Sequence, residues 1–444
     1  MLRMRMLSGE EVASVPAGEE VANVRALKLV LNKQHGFAPR FRQRLFLRGD
    51  LLEDAFELAT SADMVLEFVV LDFANVSPRK VEKLIRAARS AKLSKVESML
   101  QLPQDPNLTS QSGKTALASA VSANHLEIAR VLVEAGSRVD AAVSHYGLTP
   151  LSIAVTGRGG SVAMVQFLLE AGANIDSRNT DGTTALALAA AYGCTEVVRL
   201  LLLEGAGVDL TDHINGWTAL TSASSLGHAE IVQVLLEFGS NVHHMCRAGT
   251  ALTLASFSGH DAIVRLLLQH RAQVEDHAVF AASNQGHVNC VHLMLAAQCR
   301  RKVLTARSSF RRRLVCSVSL TRASRHGHAN LVQVLLEAHA DMETRTPDFT
   351  ALMEASLYSR VDVVRVLLKA SADKDATDRD GTTALMLSSM TGNAEIVRML
   401  LKAGADRNLV SKDGSTAMME ATSWGHIEVM GLLKPRKRKR ETLS

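Results

Sequence analysis

At 444 residues the chain is longer than one hydrophobic core usually serves, so several domains or a repeat array are expected. Apolar residues make up 47 % of it and aromatics only 4 %, a balance that suits thin, closely packed helices and argues against a bulky sandwich. The net charge of +5 is local: Lys434, Arg436, Lys437, Arg438, Lys439 and Arg440 carry six positive charges, and taking them away leaves about −1, which argues against a broad nucleic-acid-binding face.

Five cysteines, Cys194, Cys246, Cys290, Cys299 and Cys316, lie without paired spacing and in odd number, as free thiols in a reducing compartment would. Met1–Glu11 holds no apolar run long enough for a signal peptide, and no stretch approaches the roughly 18 apolar residues of a membrane span. A soluble intracellular protein is expected, cytoplasmic, nuclear or both.

Residues 1–74 do not repeat. Alternating strand residues lead to a turn at Ser8-Gly9-Glu10, a second strand to Val15, and a helix through Val21–Gln34. Then come Gln43-Arg-Leu-Phe-Leu-Arg-Gly-Asp-Leu-Leu-Glu-Asp54 and a final apolar strand, Val65–Leu71. This order of two strands, helix, strand and strand resembles ubiquitin, with the 43–54 string as its most specific part. The conjugation end of that family, Leu-Arg-Gly-Gly, is missing, because the last strand runs on into Asp72-Phe-Ala-Asn. The resemblance therefore implies a small α+β (β-grasp) recognition module and no conjugated modifier. Leu7 and Phe46 match positions of ubiquitin's hydrophobic contact patch; the alternative is that both help pack a small sheet.

Residues 75–111 read as a degenerate first repeat that caps an open apolar end, with helices over Val81–Ala88 and Val96–Leu100 and an exit at Leu102-Pro-Gln-Asp-Pro106. Beyond it the triplets Thr115-Ala-Leu, Thr149-Pro-Leu, Thr184-Ala-Leu, Thr218-Ala-Leu, Thr250-Ala-Leu, Thr350-Ala-Leu, Thr383-Ala-Leu and Thr416-Ala-Met recur at steps of 32 to 35, with one gap of 100. About ten residues after most of them stands Gly-His or a relative, as at Gly227-His228, Gly259-His260 and Gly425-His426. The threonine is a helix N-cap, and the glycine ends that helix in a left-handed conformation. In the second helix Ile231, Val234 and Leu235 fall at i, i+3 and i+4, one apolar stripe. A single helix pair cannot hide that stripe, but stacked copies can. The unit resembles the ankyrin repeat over roughly residues 78–433, which implies a mainly α solenoid of about nine to ten repeats. The family's Thr-Pro-Leu-His signature is eroded: Pro150 alone keeps the proline, and Ala118, Ser152, Ala187, Thr221 and Met386 replace the histidine, so softer repeats are expected.

Regular repeats are expected over 112–276 and 321–434, with an irregular segment and basic insertion at 277–320. There the Gly-His step shrinks to 27 between His260 and His287 and grows to 41 between His287 and His328. The added residues include Arg300, Arg301, Lys302, Arg307, Arg311, Arg312 and Arg313, read as a surface loop, a hinge or an error in the gene model.

No catalytic, cofactor or metal constellation emerges. His287, Cys290, His292 and Cys299 invite a zinc reading, but Cys290 aligns with the inward Ile231 and the spacing matches no structural zinc pattern. Gly157-Arg-Gly-Gly160 lacks the Gly-Lys-Ser/Thr ending of a phosphate loop and follows no strand. The aromatics are more informative. Tyr146, Tyr192, Trp217, Tyr358 and Trp424 sit at turn tips or helix ends beside the repeat glycines, with Phe257 and Phe349 in equivalent slots. The ankyrin resemblance implies that these slots line the concave face that contacts partners; the alternative is packing between repeats. The expectation is a monomeric, non-catalytic binder of proteins, without small-molecule substrate or specific nucleic acid.

The tail at 435–444, entered through Lys434-Pro435, carries Arg436, Lys437, Arg438, Lys439 and Arg440 and resembles a nuclear import signal. A solvated tail or a weak anchor to anionic lipid or RNA is the alternative. Deleting 434–444 from a fluorescently tagged chain is expected to move it out of the nucleus; an unchanged distribution on imaging removes the import reading.

Overall fold

The computed structural model describes residues 1–58, 63–143, 146–157, 160–300 and 306–434. They form two compact units, residues 1–219 with 237–240 and residues 220–236 with 241–444.

The first unit begins with a small sheet and one helix. β1 (Leu2–Met6) and β2 (Glu11–Val15) pair antiparallel around a turn in which Gly9 adopts φ +88°. α1 (Val24–His35) starts where the Asn23 side chain accepts the Ala26 amide at 2.9 Å, and stops at Gly36, φ +69°. Its start lies three residues beyond the expected Val21, because Glu19–Val21 forms a separate 3-10 turn ahead of that cap. β3 (Gln43–Leu47), β4 (Asp50–Leu51) and β5 (Met64–Val70) complete the sheet in the order β2-β1-β5-β3-β4, with β5 parallel to β1 and antiparallel to β3. Leu2, Met4, Leu45, Leu66 and Phe68, at alternating strand positions, meet Val24, Leu27 and Leu31 of α1 in one core.

Helix pairs follow in the same unit: α2 (Pro78–Arg89) with α3 (Leu93–Gln101), α4 (Ala116–Ser122) with α5 (Leu126–Glu134), α6 (Pro150–Thr156) with α7 (Val162–Glu170), and α8 (Ala185–Tyr192) with α9 (Thr195–Leu203). The second unit continues with α10 (Ala219–Leu226) and α11 (Ala229–Glu237), then β6 (Met245–Cys246) and β7 (Gly249–Thr250), which make a short hairpin. After it come α12 (Ala251–Ser258) with α13 (Asp261–Gln269), α14 (Asp276–Gln285) with α15 (Val288–Arg300), and α16 (Ala306–His326) with α17 (Ala329–Glu337). The last pairs are α18 (Ala351–Leu357) with α19 (Val361–Lys369), α20 (Ala384–Met390) with α21 (Ala394–Lys402), and α22 (Ala417–Ser423) with α23 (Ile427–Leu433).

Local chemistry sets each pair. Thr115, Thr149, Thr184, Thr250, Thr350, Thr383 and Thr416 each accept the amide three residues on and so cap the first helix. First helices stack on first helices through small side chains. In the second unit Ser224, Ser256, Ser283, Ser324, Ser356 and Ser389 occupy the same helical position and all are fully buried. Ser283 and Ser389 return their hydroxyls to the carbonyl four residues back, each at 2.7 Å. Second helices bury the predicted stripe, for example Ile231, Val234 and Leu235.

The Gly-His pairs serve two repeats at once. Each glycine takes a left-handed φ, as at Gly259 (+78°) and Gly286 (+79°). Four of the histidine rings reach back to the preceding first helix: His260 to Ser225 O (3.2 Å), His287 to Phe257 O (3.1 Å), His328 to Asn284 O (2.9 Å) and His426 to Met390 O (3.0 Å). A carbonyl only accepts, so Nε2 carries the proton in every case. The ring passes over the previous repeat's glycine, where a Cβ on Gly286 would lie 2.4 Å from His328 Nδ1. Arg360 fills this slot in its own repeat and keeps the bond, its Nε donating to Arg325 O at 3.0 Å.

The segment after α13 departs from this plan by losing the loop ahead of α14 and by lengthening α15 and α16. The basic residues 311–313 lie within α16, so this part of the insertion is helix and not loop; Arg301 and Lys302 lie outside the described residues.

Gly286→Ala is expected to lower stability by about 2 kcal/mol, from strain and from the ring it would strike. His328→Ala is expected to cost about 1 kcal/mol as a lost hydrogen bond. In the double variant the clash is gone, so urea midpoints should show less loss than the sum; strict additivity would refute the shared contact.

Candidate functional site

The seven aromatic candidates fall into two groups. Tyr192, Phe257, Tyr358 and Trp424 stand at the C-terminal ends of first helices, whereas Tyr146, Trp217 and Phe349 stand in the loops ahead of a cap threonine. A first helix of seven or eight residues rises roughly 10–12 Å, so the two groups do not meet in one patch within a repeat. Tyr146 (66 % exposed), Tyr192 (61 %), Trp424 (63 %) and Phe257 are open to solvent, while Trp217 and Phe349 are half-buried. Tyr358 is already engaged. Arg325 Nη2 donates to its hydroxyl at 2.8 Å, and the same guanidinium lies 4.9 Å over its ring.

Loop tips zip onto one another through the backbone. Thr180 donates its amide and its hydroxyl to Tyr146 O, both at 3.0 Å, and His213 N donates to Asp181 O at 2.8 Å. Acidic side chains add a second ladder: Asp140 accepts the Asn174 amide, Asp176 that of Gly207, and Asp375 that of Asp406.

On the sheet, Leu7 projects from the β1–β2 turn, 71 % exposed. Phe46 is half-buried on β3, opposite Glu67 of β5 and Leu51 of β4. The core of the head closes without either residue.

A buried ionic cluster joins the head to the helix pairs of its own unit, and the sequence gives no local sign of it. Arg40 is only 4 % exposed. Its Nε donates to Asp54 Oδ2 at 2.7 Å, its Nη1 pairs with Glu134 at the end of α5, and its Nη2 lies 3.8 Å from Glu97 of α3. Lys28, equally buried, donates to Asp54 Oδ1 at 2.7 Å, and Arg25 donates to Glu134 Oε1 at 2.7 Å. Arg44 Nη2 adds a bond to Gln101 O at 2.7 Å. Gly136 makes room for the approach, since a Cβ there would sit 2.7 Å from Pro39. Burial alone pushes the Asp54 carboxyl up, but the hydrogen bond and charge of Lys28, then Arg40, outweigh it and hold it below the ordinary value.

The remaining candidates stay apart. Cys290 is in the core beside Val291 and Met294, and burial, with the charge of Asp261, pushes its thiol up to about 11. Among the described residues no group of three or more His, Cys, Asp or Glu is placed to hold a metal ion; the Cys299 side chain lies outside them. Residues 158–159 of the Gly157–Gly160 run and the tail residues Arg436, Lys437, Arg438, Lys439 and Arg440 also lie outside the described residues. Lys434 is exposed and accepts Arg407 Nη1 on its carbonyl at 3.2 Å. No helix among the described residues is long and apolar enough to cross a membrane.

A family model described as ankyrin repeats (3 copies) matches residues 84–179, 157–246, 186–278, 279–378 and 370–440. Among curated proteins, the chain is 32 % identical over 168 residues to the nuclear factor NF-kappa-B p105 subunit of Gallus gallus, covering 36 % of this chain and 17 % of that one. It is 40 % identical over 77 residues to protein fem-1 homolog A of Danio rerio, covering 15 % and 12 %. It is 38 % identical over 99 residues to the probable E3 ubiquitin-protein ligase XBOS32 of Oryza sativa subsp. japonica, covering 22 % and 20 %. The match thus spans a fifth or less of each relative's length.

Because the folded Asp54 value is depressed, its contribution to stability is present above the ordinary carboxylate range, about pH 3.9, and is lost as pH falls through the lower folded value. Asp54→Asn is expected to be less stable than the parent at neutral pH and to converge on it in acid, followed by urea unfolding at stepped pH. Parallel pH curves would remove Asp54 from this role.

Proposed function

From the premise that the chain belongs to the ankyrin-repeat family, with the matched segments together running from 84 to 440, we propose that it is a non-catalytic protein-binding scaffold or adaptor. The repeats hold a protein partner on the concave face, and the head docks a second. The observation that carries this reading is a set of large aromatic side chains, Tyr146, Tyr192, Phe257 and Trp424, exposed at the turns and first-helix ends of the repeats. Such anchors are the usual energetic centres of interfaces, worth roughly 2 kcal/mol or more each when a partner covers them.

For the head, the proposed identity is a ubiquitin-like recognition module in the ubiquitin–proteasome pathway. Supporting it are the order of two strands, a helix and three further strands, of which β4 is only two residues long, the parallel pairing of the first and last strands, and the exposure of Leu7 outside the core. Beyond β5 the chain continues toward α2, the Ala74 amide donating to Pro103 O at 2.6 Å, so recognition and not conjugation is the role that fits. A second reading, a nuclear regulator that works through its repeat contacts and basic tail, draws on the run from Lys434 to Arg440. We place the chain in the cytoplasm, the nucleus or both, as a monomer.

Affinity capture with the full chain tests both surfaces. Leu7→Ala with Phe46→Ala is expected to lose one set of partners, and Tyr192→Ala with Trp424→Ala another, with thermal midpoints near the parent's. Retention of every partner by the head variant would refute head docking, and retention by the repeat variant would refute the repeat face.

A further inference from the structure

In the second unit, α14, α16, α18 and the loop at 345–347 enclose an open cavity of about 570 Å³ whose charged walls are Arg322, Arg325, His326, Arg345 and Glu354. Three arginines face one carboxylate. Arg322, Arg325 and His326 fall at i, i+3 and i+4 of α16, one face of the helix. Arg325 is committed inside the protein, its Nε 3.3 Å from Glu354 Oε2 and its Nη2 on the Tyr358 hydroxyl. Arg322 and Arg345 have no carboxylate partner among the described residues; the side-chain hydrogen bond of Arg322 goes to the neutral Asn284 Oδ1, at 3.4 Å.

The two α16 guanidiniums are also held in place before any ligand arrives. Arg322 lies 4.8 Å over the Phe280 ring and Arg325 4.9 Å over that of Tyr358. Stacked guanidiniums lose less freedom on binding than mobile ones. Glu354 is 4 % exposed, and its Oε2, although near Arg325, has no hydrogen-bond partner. Its one charge neighbour is therefore Arg325, and burial outweighs that guanidinium and pushes the Glu354 carboxyl up, so the wall offers little negative charge against Arg322 and Arg345. His326 feels the same surroundings: burial lowers its value first, and His328, Arg325, Arg360 and Arg322 lower it further. A pocket that resists a further positive charge is complementary to a negative one.

We propose that this cavity binds an extended acidic segment of a protein partner. Its carboxylates pair with Arg322 and Arg345. A polypeptide is favoured over nucleic acid because nucleic-acid sites draw on more cations than the three arginines here, one of which, Arg325, already faces Glu354. The inference rests on the reading of the repeats as a gripping surface and names the chemistry of what is gripped.

The basic tail would itself attract an acidic probe, so the test uses the full-length chain with Arg436→Gln, Lys437→Gln, Arg438→Gln, Lys439→Gln and Arg440→Gln. The probe is a fluorescein-labelled peptide of alternating Glu and Ser, followed by anisotropy, beside a Gln/Ser peptide and a polyuridine strand of equal length. The Glu/Ser peptide is expected to bind, Arg322→Gln with Arg345→Gln to weaken it about tenfold, and Lys369→Gln with Lys402→Gln, an equal charge change at exposed second-helix ends, to leave it within about twofold. Equal weakening by both pairs, no binding of the Glu/Ser peptide, or stronger Arg322-dependent binding of polyuridine would each overturn the proposal. If the acidic peptide fails while Tyr192→Ala with Trp424→Ala still releases captured partners, the acidic class is wrong and the gripping surface stands.

Discussion

A helix pair of this kind has apolar side chains on more surface than it can fold against itself, so its neighbour in the stack is its core. In both units the tightest point of that contact is the end of each first helix. There a residue with positive φ turns the chain, and in most repeats the next one lays a polar side chain back across the preceding repeat's turn and donates to a carbonyl there, as His125 does to Arg89 and His426 does to Met390. Where glycine stands there it serves twice over, by its backbone and by the missing Cβ; Asn124 and Ser359 hold the same slot with φ +59° and +57°. Arg360 can replace histidine because what the position requires is a donor of the right reach. Where a thiol stands in the slot, Cys194 comes only within 3.9 Å of the Val155 carbonyl, a much weaker contact.

This contact also accounts for the loss of the histidine expected after each Thr-x-Leu. That position is filled by Ala118, Ala187, Thr253 or Met353, all buried, and the threonine still caps its helix without it. Cohesion between repeats comes from the second histidine and from the carboxylate ladder of Asp140, Asp176 and Asp375. Each of these bonds reaches from one repeat to the next, so damage at one position is felt by two repeats.

Within the first unit the head is seated on α3 and α5 and is not a bead on a string. The ionic cluster around Arg40 is costly to desolvate, and replacing such clusters with apolar residues is often neutral or stabilising. Its value lies in orientation, because the charges of Asp54, Glu97 and Glu134 can all be met by Arg40 in one placement of the sheet. Any partner that contacts the head therefore meets it in a set relation to the first repeats. In the second unit the insertion has a comparable consequence: it lengthens α16 and loads it with arginines, giving one stretch of the stack a charge that the near-neutral remainder of the body does not have.

Much of the architecture was legible from residues alone. Thr115 to Thr416 as caps, the glycines as helix ends and the stripe at Ile231, Val234 and Leu235 are local requirements of hydrogen bonding, φ or side-chain period, and repetition displays them many times over; in the head the two strands, the helix and the outer strands β3 and β5 could be read, but not the short β4 or the order of strands in the sheet. What tertiary structure decided lies across distance in the chain. His328 meets Asn284, Arg40 meets Glu134, and Arg322, Arg345 and Glu354 come to one cavity because the stack brings them together, and charges or donors tens of residues apart leave no periodic mark. The aromatics fell between these cases: their places beside the turns could be read, but their division into loop and helix-end groups, and the engagement of Tyr358 by Arg325, depend on which neighbour the fold supplies.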